Sequence, residues 1–234
     1  RRSRDEMVAH PRIRALIEEL AAWPGYPLKR HNDARHPLHK LAVLADFGLR
    51  ENDPGMADVF RAVLAHQSPE GAFQSLVYVP TAFGGTNTAQ WAYLHCDAPT
   101  ILYALERQGL GGHPAVRRAT AHLVAAARDN GWPCRASAEP GRFRGPGKKD
   151  DPCPYATLIA LKALAAVPSM HDSAPAQVGI EMLLRHWAER PKWRPYLFGV
   201  GREFVKIKYP YVWYDILHVT EVLTQFPAAR DDPR

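Results

Sequence analysis

The chain has 234 residues, 46% hydrophobic and 23% charged, a balance that fits an ordinary soluble globular domain and excludes a disordered or fibrous chain. The formal net charge of +6 calls for an anionic partner. No helix-turn-helix, zinc-finger or aromatic RNA-binding signature accompanies it, so phosphate or diphosphate is the expected partner and nucleic acid is not. No apolar run nears the ~20 residues of a membrane span. The basic N-terminus lacks a signal-peptide core, and three scattered cysteines form no disulfide framework. A cytoplasmic setting is therefore expected.

In chain order, His10-Pro11 and Trp23-Pro24-Gly25 bound a short first helical unit. The run HNDARHPLH, with His31, His36 and His39, reads as a polar turn entering a helix over 37–49. Asp53-Pro54 opens an amphipathic helix over 54–67, with Phe60, Val63 and Leu64 on one face. It ends at Gly71-Ala72-Phe73. SLVYVP, 75–80, is a short apolar run within a long connection, and no strand is expected there. An apolar helix follows over 97–110, and His113-Pro114 opens another amphipathic one that closes at Asn130-Gly131-Trp132. The stretch 154–167 is apolar almost all round, through Leu158, Ile159, Leu161, Ala163, Leu164 and Ala165, which predicts burial. Ala174-Pro175 and Pro191-Lys192-Trp193 bound the next outer unit, and a last apolar helix is expected over 213–226.

These landmarks repeat. Pro54, Pro114 and Pro175 lie 60 and 61 residues apart, and Phe73, Trp132 and Trp193 lie 59 and 61 apart. Proline suits a first helical position, where its missing N–H is not needed. The pattern predicts one all-α domain over 1–234, built from about four hairpins of ~60 residues, each with an outer and a buried inner helix. A partial α/α toroid is the expected architecture, since each inner helix needs a neighbour on both sides. Four inner helices leave room for an open ring, a homo-oligomer or a partner subunit.

The chemistry gathers at one end of this arrangement. Cys96 and Cys153 precede inner helices, and Cys134 lies in the connection between an outer helix and the inner helix of Cys153. Alternating hairpins place these positions at the same mouth, near Asp97, Asp151, Asp215 and His218. In GPGKKDDPCPY, 145–155, a carboxylate and a thiol two residues apart can reach one cation, and zinc accepts that mixture. Arg142, Arg144, Lys148 and Lys149 can neutralise an anion. The plainer readings are buried thiols, a Cys134–Cys153 disulfide, a solvated basic loop, and Asp150 or Asp151 as a helix cap.

VFRAVLAHQSPEGAF, 59–73, resembles the glutamine–tryptophan repeat of terpenoid cyclases and protein prenyltransferase β-subunits, with Gln67 and the Gly71-x-Phe73 turn in place. HLVAAARDNGWPC keeps Gly131-Trp132 and lacks the glutamine. In the prenyltransferases an Arg, Lys, Asp and x-Cys-Tyr series binds zinc through Asp and Cys, and the prenyl diphosphate through the basic pair and Tyr. Lys148-x-x-Asp151-x-Cys153 matches without a gap, and Arg144 and Tyr155 are each displaced by one position. The resemblance thus implies a metal-dependent prenyltransferase-like enzyme acting on an isoprenoid diphosphate. Arg144, Lys148 and Tyr155 would hold the diphosphate. Asp151 and Cys153 would hold Zn2+, with Asp215 at the family's histidine position or His218 one turn on. Cys96, Cys134 and Cys153 with Asp215 or His218 form an alternative ligand set. Rival readings are a non-catalytic helical-repeat binding module with a structural zinc or thiol cluster, and a terpene cyclase-like small-molecule enzyme. Lys148-Lys149-Asp150-Asp151 lacks the first acid of the cyclase Asp-x-Asp-Asp motif.

Overall fold

The structure is a computed structural model that describes residues 2–143, 145 and 147–234. Helices hold 48% of the chain. In order these are α1 (Arg2–Ala9), α2 (Pro11–Ala21), α3 (Pro37–Asp46), α4 (Met56–Leu64), α5 (Ala98–Leu105), α6 (Pro114–Ala125), α7 (Pro154–Ala165), α8 (Ala174–Ala188), α9 (Ile216–Leu223) and α10 (Pro227–Arg230). Among the described residues none is long and apolar enough to cross a membrane.

Three His-Pro pairs start helices by the same device. Nδ1 of His10, His36 and His113 accepts the N–H of Arg12, Leu38 and Ala115 at 3.1–3.2 Å, while the following proline fills the first helical position. The sequence reading places helix boundaries at these prolines but does not show that the histidine is the cap. Pro54 departs from the pattern. Gly55 takes a left-handed turn, α4 begins only at Met56, and Asp53 instead pairs with Arg4 at 2.6 Å.

The apolar helices α3, α5, α7 and α9 pack in a row, each on the next, and α2, α6 and α8 back the first three of them. Eleven consecutive residues of α7, Pro154 to Leu164, are buried, as its lack of a polar face requires. Gln67 and Trp132 tie successive units together. Gln67 Nε2 donates to the carbonyls of Gly71 and Ala115, both at 2.7 Å, which anchors the turn after α4 to the start of α6. Trp132 is fully buried and donates from Nε1 to Leu123 O at 2.9 Å.

The structure differs from the sequence reading over 75–92. Ser75–Tyr78 (β1) pairs antiparallel with Ala89–Ala92 (β2), and Leu28 pairs with β1 from the other side. Four residues are too few for alternation to stand out, and the partner of Leu28 is almost fifty residues away. The ordered pairing comes from these contacts rather than from local propensity.

Candidate functional site

Backbone pairing between distant segments builds the site. His95 N donates to Arg135 O at 2.9 Å, Leu94 pairs with Ala136, and Cys153 N donates to Trp132 O at 2.8 Å. Residues 94–97, 132–136 and 153 are thereby laid side by side. Cys96, Cys134 and Cys153 all line one cavity of about 730 Å³, together with Asp97. The convergence expected from the hairpin alternation is thus present, and all three cysteines are free thiols.

The walls are largely apolar. Tyr78, Phe83, Phe143, Tyr155 and Phe198 line them, and Lys29 and Arg30, both exposed, bring positive charge to the edge. His31 packs on Tyr155 with ring centroids 4.7 Å apart and the rings tilted by 31°. It keeps an exposed edge, but packing of the ring lowers its pKa. Tyr196 closes one side in a left-handed conformation (φ 53°). Its ring explains the two described glycines of the opening GPG. A Cβ on Gly147 would sit 2.4–2.6 Å from the Tyr196 ring, and one on Gly145 would sit 2.7 Å from the ring and 2.9 Å from Cys134 Sγ.

The three thiols differ in character. Cys153 is the N-cap of α7, and its Sγ accepts the Ala156 N–H at 3.4 Å. A hydrogen bond from Cys134 and the backbone N–H groups of Ala156 and Tyr155 lower its pKa against the effect of burial. Such an environment favours the thiolate form. Cys134, the donor in that bond, is correspondingly raised. Burial raises Cys96, and Asp97 beside it adds to the effect. Asp97 is itself pushed up to about 7 by burial. Its Oδ2 receives a long contact from Cys96 Sγ at 3.7 Å, and its Oδ1 is buried with no partner among the described residues.

Removing the Cys134 donor should therefore slow alkylation of Cys153. A hydrogen bond to a charged group is worth about 1.5–3 kcal/mol. In Cys134→Ala the rate with iodoacetamide at neutral pH is expected to fall roughly tenfold, read by mass spectrometry of the Cys153 peptide. An unchanged rate would mean that Cys134 does not support the thiolate.

Of the other expected residues, Lys148, Asp151, Asp215 and His218 do not line this cavity. Lys148 is exposed, and Asp151 Oδ2 accepts the Lys148 N–H at 3.2 Å within a local turn. Arg128 and Asn130 hold that turn through the carbonyls of Lys149 and Asp150, at 3.0 and 2.9 Å. Arg144 lies outside the described residues. Asp215 is buried as the N-cap of α9, its Oδ1 accepting the His218 N–H at 3.1 Å, and burial raises its pKa. His218 is buried too, with Nδ1 on Trp213 O at 2.9 Å and its pKa lowered chiefly by burial. Neither lines the thiol cavity. Tyr155 does, and its hydroxyl donates to Val212 O at 3.4 Å. Of the HNDARHPLH histidines, His36 caps α3. His39 is buried against His31 O at 2.6 Å, which leaves its pKa near 4, mainly through burial.

Asp151, Asp215 and His218 do not line the cavity that Cys96, Cys134 and Cys153 share, and among the described residues no group of three or more His, Cys, Asp or Glu side chains is placed to hold a metal ion. Sequence reasoning missed Lys29, Arg30, Phe83, Phe143, Tyr196 and Phe198. They carry no motif and reach the cavity only through long-range packing. Compared with family models, curated proteins and solved structures, the chain matches none.

Proposed function

We propose that the thiol cavity binds an amphipathic anion of the isoprenoid diphosphate class, and that the protein is a prenyltransferase-like enzyme. In this reading α3, α5, α7 and α9 form the inner wall of a partial α/α toroid. The observation that carries it is the make-up of one cavity. Aromatic walls suit an apolar chain, Lys29 and Arg30 suit a diphosphate, and the N-terminus of α7 adds partial positive charge beside Cys153. In a transfer reaction the C1–O bond to diphosphate breaks, the cations take up the charge developing on the leaving group, and an acceptor nucleophile forms the new bond to C1.

The cations in this reading are Lys29 and Arg30, since Lys148 is exposed on a turn outside the cavity. Zinc belongs to the reading without an assigned ligand set, and no chemical step is derived through the metal. Elemental analysis of the purified protein tests it.

The binding test is thermal shift with farnesyl and geranylgeranyl diphosphate, against inorganic diphosphate and farnesol as separate arms. The esters are expected to raise Tm more than either part alone, and the shift should shrink in a Lys29→Ala/Arg30→Ala variant. No shift with either ester would sink the proposal. A second reading, a non-catalytic helical-repeat module, is favoured by the raised pKa values of Cys96 and Cys134, which keep two of the three thiols inert. Ester binding without release of diphosphate on addition of thiol or peptide acceptors would select it.

A further inference from the structure

The carboxyl-terminal halves of α3, α5, α7 and α9 enclose a second cavity, of about 250 Å³, at the end of these helices away from the thiols. Each helix supplies one polar side chain to it: Asp46, Tyr103, Lys162 and Glu221. Lys162 is 5% exposed. Its Nζ lies 4.7 Å from the Tyr103 ring centroid and 4.6 Å from that of Tyr211, so the ammonium sits between two aromatic faces. The Tyr103 hydroxyl donates to Asp46 Oδ1 at 2.5 Å.

The site is electrostatically incomplete. Among the described residues no carboxylate oxygen comes within 4.0 Å of Lys162 Nζ. Glu221 Oε2 is buried with no hydrogen-bond partner among them. A buried charge normally finds a partner, and cation–π contact returns only part of the cost of burying it. Arg107, exposed, adds a second positive group at the rim. Two cations and two carboxylates therefore face one small space. A simple anion would satisfy Lys162 and Arg107 but would meet Asp46 and Glu221, and a simple cation has the converse problem.

We propose that this cavity binds a small zwitterion of amino-acid size, its carboxylate on Lys162 and Arg107 and its ammonium between Glu221 and Asp46. The volume suits such a molecule, being that of roughly eight waters. The partial negative charge at the carboxyl ends of the helices favours the ammonium end. Burial pushes the pKa of Lys162 down and that of Glu221 up, more than their mutual attraction across the cavity offsets, and a bound zwitterion would bring each group an opposite charge in direct contact. This inference stands apart from the thiol cavity and needs no isoprenoid ligand.

The test is calorimetric titration of the full chain with the common amino acids, one at a time, with acetate and ethylammonium as singly charged controls. At least one amino acid is expected to bind while neither control does, and Glu221→Gln and Lys162→Gln should each weaken that binding tenfold or more. Circular dichroism checks that the variants are folded. If Lys162→Gln fails to fold, Glu221→Gln decides alone. The proposal is overturned if no amino acid binds, if acetate or ethylammonium binds as tightly, or if binding survives unchanged in a folded variant.

Discussion

Trp132→Ala is expected to destabilise the protein by about 3–5 kcal/mol, the range for truncating a large buried aromatic side chain. Trp132 is 0% exposed and wedged between helices. Its Nε1 donates to Leu123 O in α6, its backbone N–H donates to Thr157 Oγ1 in α7 at 3.0 Å, and its ring packs so closely on α8 that a Cβ at Gly179 would meet it at 3.0 Å. The substitution opens a cavity at the junction of three helices and leaves a buried carbonyl without its donor. Native stabilities are about 5–15 kcal/mol, so the loss is a large fraction of the total. At this chain length it corresponds to a fall in Tm of roughly 6–20 °C. Trp91 is the internal comparison. It is half-buried and stacks on His66 with ring centroids 3.5 Å apart, so Trp91→Ala should cost much less. Equal losses on thermal denaturation would contradict the structural role given to Trp132.

Asp97→Asn is expected to stabilise the protein at alkaline pH and to have little effect in acid. Burial raises the Asp97 carboxyl from 3.8 to about 7, so the folded state binds its proton more tightly than the unfolded chain does. The favourable contribution is fully present below about pH 4, where both states are protonated. It is lost as pH rises, and the loss is complete above about pH 7. The full span is on the order of 4 kcal/mol. Asparagine does not ionise, so the stability difference between variant and wild type should grow across that window and then level off. Denaturant titrations at several pH values measure it. A difference that stays flat with pH would show that Asp97 is not held protonated.

How much of this was legible depends on distance along the chain. The helix starts at Pro11, Pro37 and Pro114 follow from proline chemistry within two or three residues. The meeting of Cys96, Cys134 and Cys153 follows from their places just before α5 and α7 and in the connection from α6 to α7, which the sequence spacing located. The β1–β2 pairing was illegible because Leu28, a non-local partner, supports a strand of four residues. Lys29 and Arg30 look like any solvated loop, and that same pairing carries them to the cavity. Lys148 and Asp151 show the opposite failure. Their spacing suits ligation, but a short Asp can equally well bond the backbone N–H three residues before it, and this local bond is the one formed.

The cavity floor joins segments far apart in the chain, through the pairing of 94–97 with 132–136 and of Trp132 with Cys153. No continuous fragment shorter than that span can form it, and closing such loops comes late in folding because their entropy must be lost first. The thiols are therefore built-in reporters of assembly. Protection of Cys96 from alkylation during refolding marks the moment at which the middle of the chain has come together, without any added label.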